Sequence, residues 1–484
     1  MRARLFHKPI HVSWIFAATA GGVLVGAAGS LLIPPGLFAA LPWLVVAGAL
    51  LSIALLKREL LFVLLAFISG CFVGLYRGTS ELWQLQSYEP FYGRQVRLQG
   101  VVADDTTRGS SGDQRLRLGD VVIDGEPLPG YVWISTTSNA EIKRSDVVVV
   151  KGVLNDGFGT LSGSMFRAEL IEAERPEPGD VARQVRDWFT EQVRGSVPEP
   201  EASLGVSYVA GQKRALPQTL SDEFRLLGLS HLVVASGFHL TIIVKATRKA
   251  LAGRSKYLAM FFSGLMIGGF LLLTGFSTSM TRASLVAGLS LTAWYYGRVV
   301  HPVVLLLLVA AMTLLINPSF IWGDVGWFLS FAAFSGVIIL APLLHRYFWG
   351  SKKPGYVRDL LVATTAAQIT TLPIVLVTFG FYSPLALLSN LLILPLVPVV
   401  MLLTVVAGMS SALLPMLAGL IGLPAYAVLW YMTSLTGWLS SIPWAHHESS
   451  LSIPGLVMSY IAMVLVAVYI WRKTGHDFRK ETPI

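Results

Sequence analysis

The stretch VSWIFAATAGGVLVGAAGSLLI, residues Val12–Ile33, decides the fold class. It carries no charge over about 20 residues, the length an α-helix needs to cross a hydrocarbon core of roughly 30 Å. Arg2, Arg4 and Lys8 precede it, as basic residues precede a secretory signal. A signal core is shorter, about 7–15 residues, and ends at a small-residue cleavage site. No such site introduces a mature domain here, and two more apolar runs, Leu37–Leu56 and Leu60–Arg77, follow at once. The expectation is a retained first span of a polytopic membrane protein. Composition agrees: 54% of the 484 residues are hydrophobic and 13% charged, against about a quarter charged in soluble domains.

Working outward, nine further runs follow Phe224. They are about Leu226–Val244, Tyr257–Leu273, Ser279–Tyr296, Val303–Ile316, Gly326–Leu344, Leu360–Gly380, Leu385–Val406, Leu413–Ser440 and Ser452–Trp471. The sequence thus predicts a polytopic α-helical membrane protein of about 12 hydrophobic segments. Leu413–Ser440 is long for one span and contains Pro415 and Pro424, which points to a broken or re-entrant piece. The net charge of +9 reports topology before nucleic acid. Arg2, Arg4 and Lys8, Lys57 and Arg58, the set Lys245, Arg248, Lys249, Arg254 and Lys256, then Arg346, Lys352, Lys353 and Arg358, and finally Arg472, Lys473, Arg479 and Lys480 all fall on one side if every run crosses. That is the positive-inside bias, and it places both termini in the cytoplasm. The lone Cys71 excludes an intrachain disulfide.

Between residues 88 and 176 the character changes. RQVRLQGVVAD, QRLRLGDVVID, GYVWIST, SDVVVVKGVL and FRAELIEAE alternate apolar with polar residues between glycine and acidic turns. Five strands of this length and spacing predict a small all-β, extracytoplasmic, OB-fold-like barrel inserted after three helices. The organisation read from the chain is therefore 1–80 for three helices, 88–176 for the β domain, 177–202 for a linker with an amphipathic helix, and 203–484 for the remaining membrane domain. On that linker helix, Trp188 and Phe189 are expected either on the membrane surface or against the β domain.

The chemistry-bearing residues are few. His231, Ser236, Gly237 and His239 lie in an apolar stretch, SHLVVASGFH. Polar groups at membrane depth are costly and face partners or water. On a continuous helix Ser236 and His239 would be neighbours, with His231 roughly 80° around from His239. Three readings remain open for this cluster: a nucleophilic Ser–His pair, interhelical glue, and the lining of a passage. Gly275, Ser279 and Arg282 lie in TGFSTSMTRA, whose hydroxyls permit close helix contacts. The Arg282 guanidinium suits phosphate, with an ion pair to Asp324 as the alternative. Asp324 belongs to GDVGW, Gln368 to a threonine stripe before Pro373, and Asn390 to a segment before Pro395 and Pro398. Prolines inside spans are tolerated where helices pack on protein or line a cavity.

Absences exclude some classes. The chain has no GxxxxGK[ST] loop, so it is not expected to hydrolyse nucleotide itself. HxHxD and HExxH are missing, His446-His447-Glu448 reads as an interface loop, and neither metal nor cofactor is expected.

AGQKRALPQTLSDEFRLLGLSHLVVASGFH resembles the opening signature of the competence domain in the ComEC family of DNA-uptake proteins. TGFSTSMTRASLVA, INPSFIWGDVG, VGWFLSFAAFSGV and AAQITTLPIVLVTFGFYSPLALLSNLLILPL match later blocks in the same order. The resemblance runs from about Ser203 to Pro398, and the inserted β segment is similar in place and length to the family's barrel domain. It implies a cytoplasmic-membrane channel importing single-stranded DNA during natural transformation, not an enzyme. Partners so implied are an extracytoplasmic DNA receptor, a cytoplasmic motor ATPase, DNA-protecting proteins and the lipid bilayer. Two further readings stand beside it, an intramembrane hydrolase using Ser236 and His239 and a transporter of another solute. Many members add a metallo-β-lactamase-like domain that this chain does not show before Ile484; if the chain is full length, strand degradation would come from a separate nuclease. Phe238 stands where the family usually has leucine.

The β segment tempers a DNA-binding reading, with ten Lys/Arg against thirteen Asp/Glu between Tyr88 and Arg175. Nonspecific DNA affinity comes largely from neutralising phosphates. A local surface of Arg94, Arg97, Arg115 and Arg117 with Tyr131 and Trp133 would offer charge and base stacking. The alternative is that Trp133 is core.

Overall fold

The structure, a computed structural model, describes residues 11–57, 59–108, 112–138, 140–212, 216–233, 236–298, 300–350 and 355–476. Arg2, Arg4, Lys8, Arg58, Lys352, Lys353, Arg479 and Lys480, on which the charge-bias reading drew, lie outside the described residues.

In chain order the elements begin with α1 (Val12–Gly29), α2 (Pro42–Lys57) and α3 (Leu60–Leu85). Nine strands follow: β1 (Gln95–Val102), β2 (Thr107–Arg108), β3 (Gln114–Ile123), β4 (Glu126–Leu128), β5 (Val132–Thr136), β6 (Val147–Val153), β7 (Asn155–Asp156), β8 (Gly163–Met165) and β9 (Glu169–Glu174). Then come α4 (Val181–Arg194), α5 (Glu201–Ala210), α6 (Gln218–Leu226), α7 (Ser230–Val233), α8 (Gly237–Leu251), α9 (Lys256–Leu273), α10 (Thr278–Tyr295), α11 (Pro302–Ile316), α12 (Phe320–Gly323), α13 (Val325–Ser335) and α14 (Ala341–Trp349). Last are α15 (Tyr356–Phe379), the two-residue strand β10 (Phe381–Tyr382), α16 (Ala386–Ile393), α17 (Val397–Leu413), α18 (Ala418–Ser440), β11 (His447–Glu448) and α19 (Ile453–Thr474). The protein is mostly helical, with a small β region near the amino terminus. Among the described residues, eight helical segments are long and apolar enough to cross a membrane, and Pro42–Lys57 and Pro302–Ile316 are shorter apolar helices. The chain divides into two compact units, residues 1–181 with 303–327, and 182–302 with 328–484.

In the first unit, α1 and α3 pack backbone to backbone. Gly22 and Gly26 on α1 and Gly70 and Gly74 on α3 recur one turn apart, and a methyl on any of them would overlap a carbonyl of the facing helix. Without a hydrophobic driving force between apolar helices in lipid, such close contact is the main source of adhesion. Arg77 then does two things. It pairs with Glu81 at 2.8 Å and donates to the carbonyls of Leu315 and Ile316, each at 3.0 Å. Those are the carbonyls left over at the end of α11. For that reason the third run does not stop at Arg77 as its charge pattern predicts; α3 continues to Leu85. Trp322 on α12 donates its indole N–H to Ala27 of α1 at 2.9 Å.

The five expected strands are present as β1, β3, β5, β6 and β9. Pairing runs β7-β8-β5-β3-β1-β6-β9, with β2 and β4 attached to β3. β5 and β8 are parallel and the other pairs antiparallel. The segment Gly163–Glu174 therefore pairs with β5 at one end and β6 at the other. It changes partner around Arg167, whose φ is 51°. Inward residues Leu98, Leu116, Leu118, Ile134, Val148, Val150 and Met165 are buried and form one core.

In the second unit, α5 is wholly buried from Glu201 to Tyr208 against α17 and α18. Gly205 sits against Thr404, so a larger residue there would push α17 away. On the amphipathic α4, the Phe189 ring packs on Gly408 of α17, while Trp188 is exposed. The expected span Leu226–Val244 is not one helix. Gly228, with φ of 71°, turns the chain after α6, and Ser236 starts α8 anew. The irregularity expected within Leu413–Ser440 is confined to its first turn, Pro415–Leu417. From there α18 runs 23 residues straight past Pro424. A π-helical turn, Gly336–Leu340, joins α13 to α14, with Gly336 against Ala366 and Thr370 of α15.

The α1–α3 contact gives a direct test. Gly70→Leu should cost about 1–3 kcal/mol or more through overpacking, seen as a lowered detergent melting temperature, whereas Gly48→Leu, at an open site, should leave it unchanged.

Candidate functional site

The break between α7 and α8 gathers three of the motif blocks. A helix start leaves its first N–H groups without intrahelical partners, and here Ser236 and His239 form a capping box. The backbone N–H of Ser236 donates to His239 Nδ1 at 3.2 Å, and the Ser236 hydroxyl lies 2.9 Å from the same nitrogen. So Ser236 and His239 are in hydrogen-bonding reach, as their spacing predicts, but as a cap rather than within a helix. His231 lies on the separate short helix α7, so the single-helix relation of the two histidines does not hold.

Because a backbone N–H occupies Nδ1, the neutral ring carries its proton on Nε2. His239 is fully buried and Nε2 has no partner among the described residues. The ring stacks on Tyr208 of α5 with centroids 5.4 Å apart, and the buried Tyr208 hydroxyl is in the same position. Two buried donors without acceptors among the described residues are costly.

Gly237, the first residue of α8, faces Ala283 of α10, and a methyl added at Gly237 would lie 3.2 Å from the Ala283 methyl. α8 and α10 run the same way, since α9 returns between them. Their amino-terminal turns therefore lie side by side. The turn into α10 is built by Gly275 (φ 74°) and Phe276 (φ 55°), after which Ser277 takes the N-cap position and Ser279 falls in the first turn. Arg282 is 4% exposed, one residue from the Gly237 contact. Gly228 faces Ala386 at the start of α16. One turn on, Asn390 is buried, donates to Ala386 at 2.8 Å, and leaves its Oδ1 without a partner among the described residues.

Other expected residues fall elsewhere. Asp324, in the first unit, accepts from the Trp327 backbone N–H at 3.0 Å and so caps α13. Gln368 is half-buried on α15, and the neighbouring Thr364, Thr370 and Thr371 hydroxyls bond to carbonyls of their own helix. The threonine stripe is therefore largely self-satisfied. Sequence reasoning passed over Tyr208 and Glu223, the latter lying against Gly437 of α18, where burial pushes its carboxyl above the usual range. Their signal, an aromatic and an acid near a polar break, has no pattern of its own.

On the β domain the expected basic and aromatic set divides. Arg117 stacks its guanidinium 3.8 Å from the Tyr131 ring centroid and pairs across β3 and β5 with Trp133. Arg115 lies two residues away on β3. Arg97 instead sits at the other end of β1, opposite Lys151, and Arg94 precedes it. They are not one surface, because β1 runs its full length between them. The charge is also reduced: Asp104 pairs with Arg117 and Asp113 with Arg115. Trp133 is not core. It is partly exposed and packs on Phe166 at 5.2 Å and Phe158 at 5.9 Å, both more than half exposed. Among the described residues no cluster has the make-up to hold a metal ion.

A membrane protein with a β domain, whose motif residues gather at the starts of two neighbouring helices, is the class these features define. The model of the competence protein family matches residues 208–474, more than half of the chain, and the chain belongs to that family. It is 24% identical over 200 residues to "ComE operon protein 3" of Bacillus subtilis (strain 168), which is 40% of this chain and 25% of that protein. The chain thus matches about a quarter of that relative's length. No solved structure matches.

The capping geometry predicts that Ser236→Ala costs about 1 kcal/mol of stability, the usual worth of an N-cap, read as a small fall in melting temperature without loss of folded protein.

Proposed function

We propose that this chain is a channel in the cytoplasmic membrane that imports a single strand of DNA during natural transformation. The observation that carries the reading is the pair of adjacent helix starts, α8 and α10, with buried Arg282 beside their contact, in a chain of the competence family. Helix amino termini present N–H groups and partial positive charge to anions, and the guanidinium fork matches phosphate oxygens. Transporter sites are commonly made where helices begin inside the membrane domain. A phosphodiester backbone moving past the site would meet both.

In this reading the apolar segments make about twelve crossings with both termini in the cytoplasm. The domains keep the bounds read from the sequence, and the β domain is an extracytoplasmic barrel of the OB type. The strand path supports that type, since Gly163–Glu174 pairs with both β5 and β6. Trp133, Phe158 and Phe166 would receive bases there. The chain acts with an outside DNA receptor, a cytoplasmic motor ATPase and DNA-protecting proteins.

The hydrolase reading has one observation in its favour, the 2.9 Å approach of Ser236 to His239. Against it, Nδ1 already accepts a backbone N–H and the ring is fully buried. We take the pair as structural and the protein as no enzyme.

Transformation frequency at matched expression tests both. Arg282→Ala should lower it at least tenfold, and Arg282→Lys should recover only part, because a point charge replaces a fork. Wild-type frequency in Arg282→Ala would remove the phosphate role. Ser236→Ala should keep uptake and the purified wild type should resist serine-reactive probes; labelling at Ser236 with uptake abolished in the alanine variant would favour hydrolysis instead.

A further inference from the structure

The opposite end of the α8–α10 group has a character of its own. No Asp or Glu occurs between Glu223 and Asp324. Within that stretch Lys245, Arg248 and Lys249 occupy the last turns of α8, Arg254 and Lys256 the turn into α9, and Arg298 the turn after α10. All but Arg248 are exposed, and none of the six makes an ion pair among the described residues. Trp294 and Tyr295, the last residues of α10, hold part of this set. The Arg248 guanidinium lies 4.3 Å from the Trp294 ring centroid, and Lys256 Nζ lies 5.5 and 5.6 Å from the Trp294 and Tyr295 rings. Cations over aromatic faces are attracted by the ring quadrupole and lose freedom, so the charge is concentrated and partly fixed.

Directly below runs an apolar stripe. Tyr257, Phe261, Gly264, Leu265, Gly268 and Leu272 lie on one face of α9 by their three- and four-residue spacing. All six are exposed. Gly264 and Gly268 have nothing within 4 Å of a side-chain position, so the stripe is dented midway. The opposite face, with Ala259, Ser263, Ile267 and Phe270, is the one buried against the unit.

We propose that this end binds an anionic phospholipid, its phosphate headgroup among the six cations and an acyl chain along the glycine-dented stripe of α9. Nucleic acid would use the cations but has no use for a continuous apolar stripe beneath them, and a neutral lipid would use the stripe but leave the cations without a counter-charge. Aromatic residues at helix ends hold headgroup depth in membrane proteins, and basic residues near an anionic surface each contribute roughly fivefold in affinity. The inference is independent of what passes the α8–α10 starts.

The full chain in mild detergent, titrated with phosphatidylglycerol or phosphatidylcholine of equal chain length and read by native mass spectrometry, tests it. Phosphatidylglycerol should bind at least tenfold more tightly. The triple variant Lys245→Gln, Lys249→Gln, Arg254→Gln should lose on the order of 100-fold, and Gly268→Leu, with every cation kept, several-fold. If the triple variant is not monodisperse, Lys249→Gln alone should show roughly a fivefold loss. Equal affinity for the two lipids overturns the proposal, as does unchanged phosphatidylglycerol binding in the variants. A fluorescent single-stranded oligonucleotide is titrated in parallel; loss of its binding in the triple variant with lipid affinity intact would assign the surface to nucleic acid and overturn the proposal as well.

Discussion

Every helix end in an apolar surrounding must find partners for its open backbone groups, and that demand organises this protein. Arg77 supplies donors to the last carbonyls of α11, and Trp322 supplies one to α1. Asp324 accepts from the first turn of α13, and His239 accepts from the N-cap of α8. In each case a polar side chain is committed to the backbone. His239 alone among these keeps a second ring nitrogen buried and without a partner among the described residues, which sets it apart from a simple cap.

The division of labour along α8 and α10 follows from their shared direction. Because α9 returns between them, both start at one end and finish at the other. Small residues, hydroxyls and Arg282 collect at the starts, while lysines, arginines and terminal aromatics collect at the finishes. Helix dipoles favour anions at starts and cations at finishes, so sequence and backbone electrostatics agree at the finishes, while at the starts Arg282 adds to the positive end of the dipoles. Gly237 permits the helices to close at the start, where any larger residue would meet Ala283.

Much of this was legible beforehand. Hydropathy located most apolar helices, and alternation located the five long strands, because both patterns repeat over many residues. The three-residue strand β8 escaped, since three residues show no period. The continuous span Leu226–Val244 was wrong because hydropathy does not register a turn made by a left-handed Gly228 and a new start at Ser236. Ser236 and His239 were rightly placed within reach of each other, though for a capping reason that average helical geometry hides. The partner Tyr208 is separated from His239 by two elements, α6 and α7, and could come only from the fold. Likewise Arg94 and Arg97 seemed to join Arg115 and Arg117 because proximity in sequence says little about which end of a strand faces which.

The π turn at Gly336–Leu340 carries a consequence for the helix around it. Such a turn holds an extra residue, and one residue of helix is about 100° of rotation. Residues before Gly336 and after Leu340 that stand a whole number of turns apart by count therefore look out on different neighbours. The glycine that opens the turn is also where α15 comes closest. The two halves, α13 and α14, thus behave as a crankshaft: one rod in sequence, two bearings in space, with α15 seated at the throw between them.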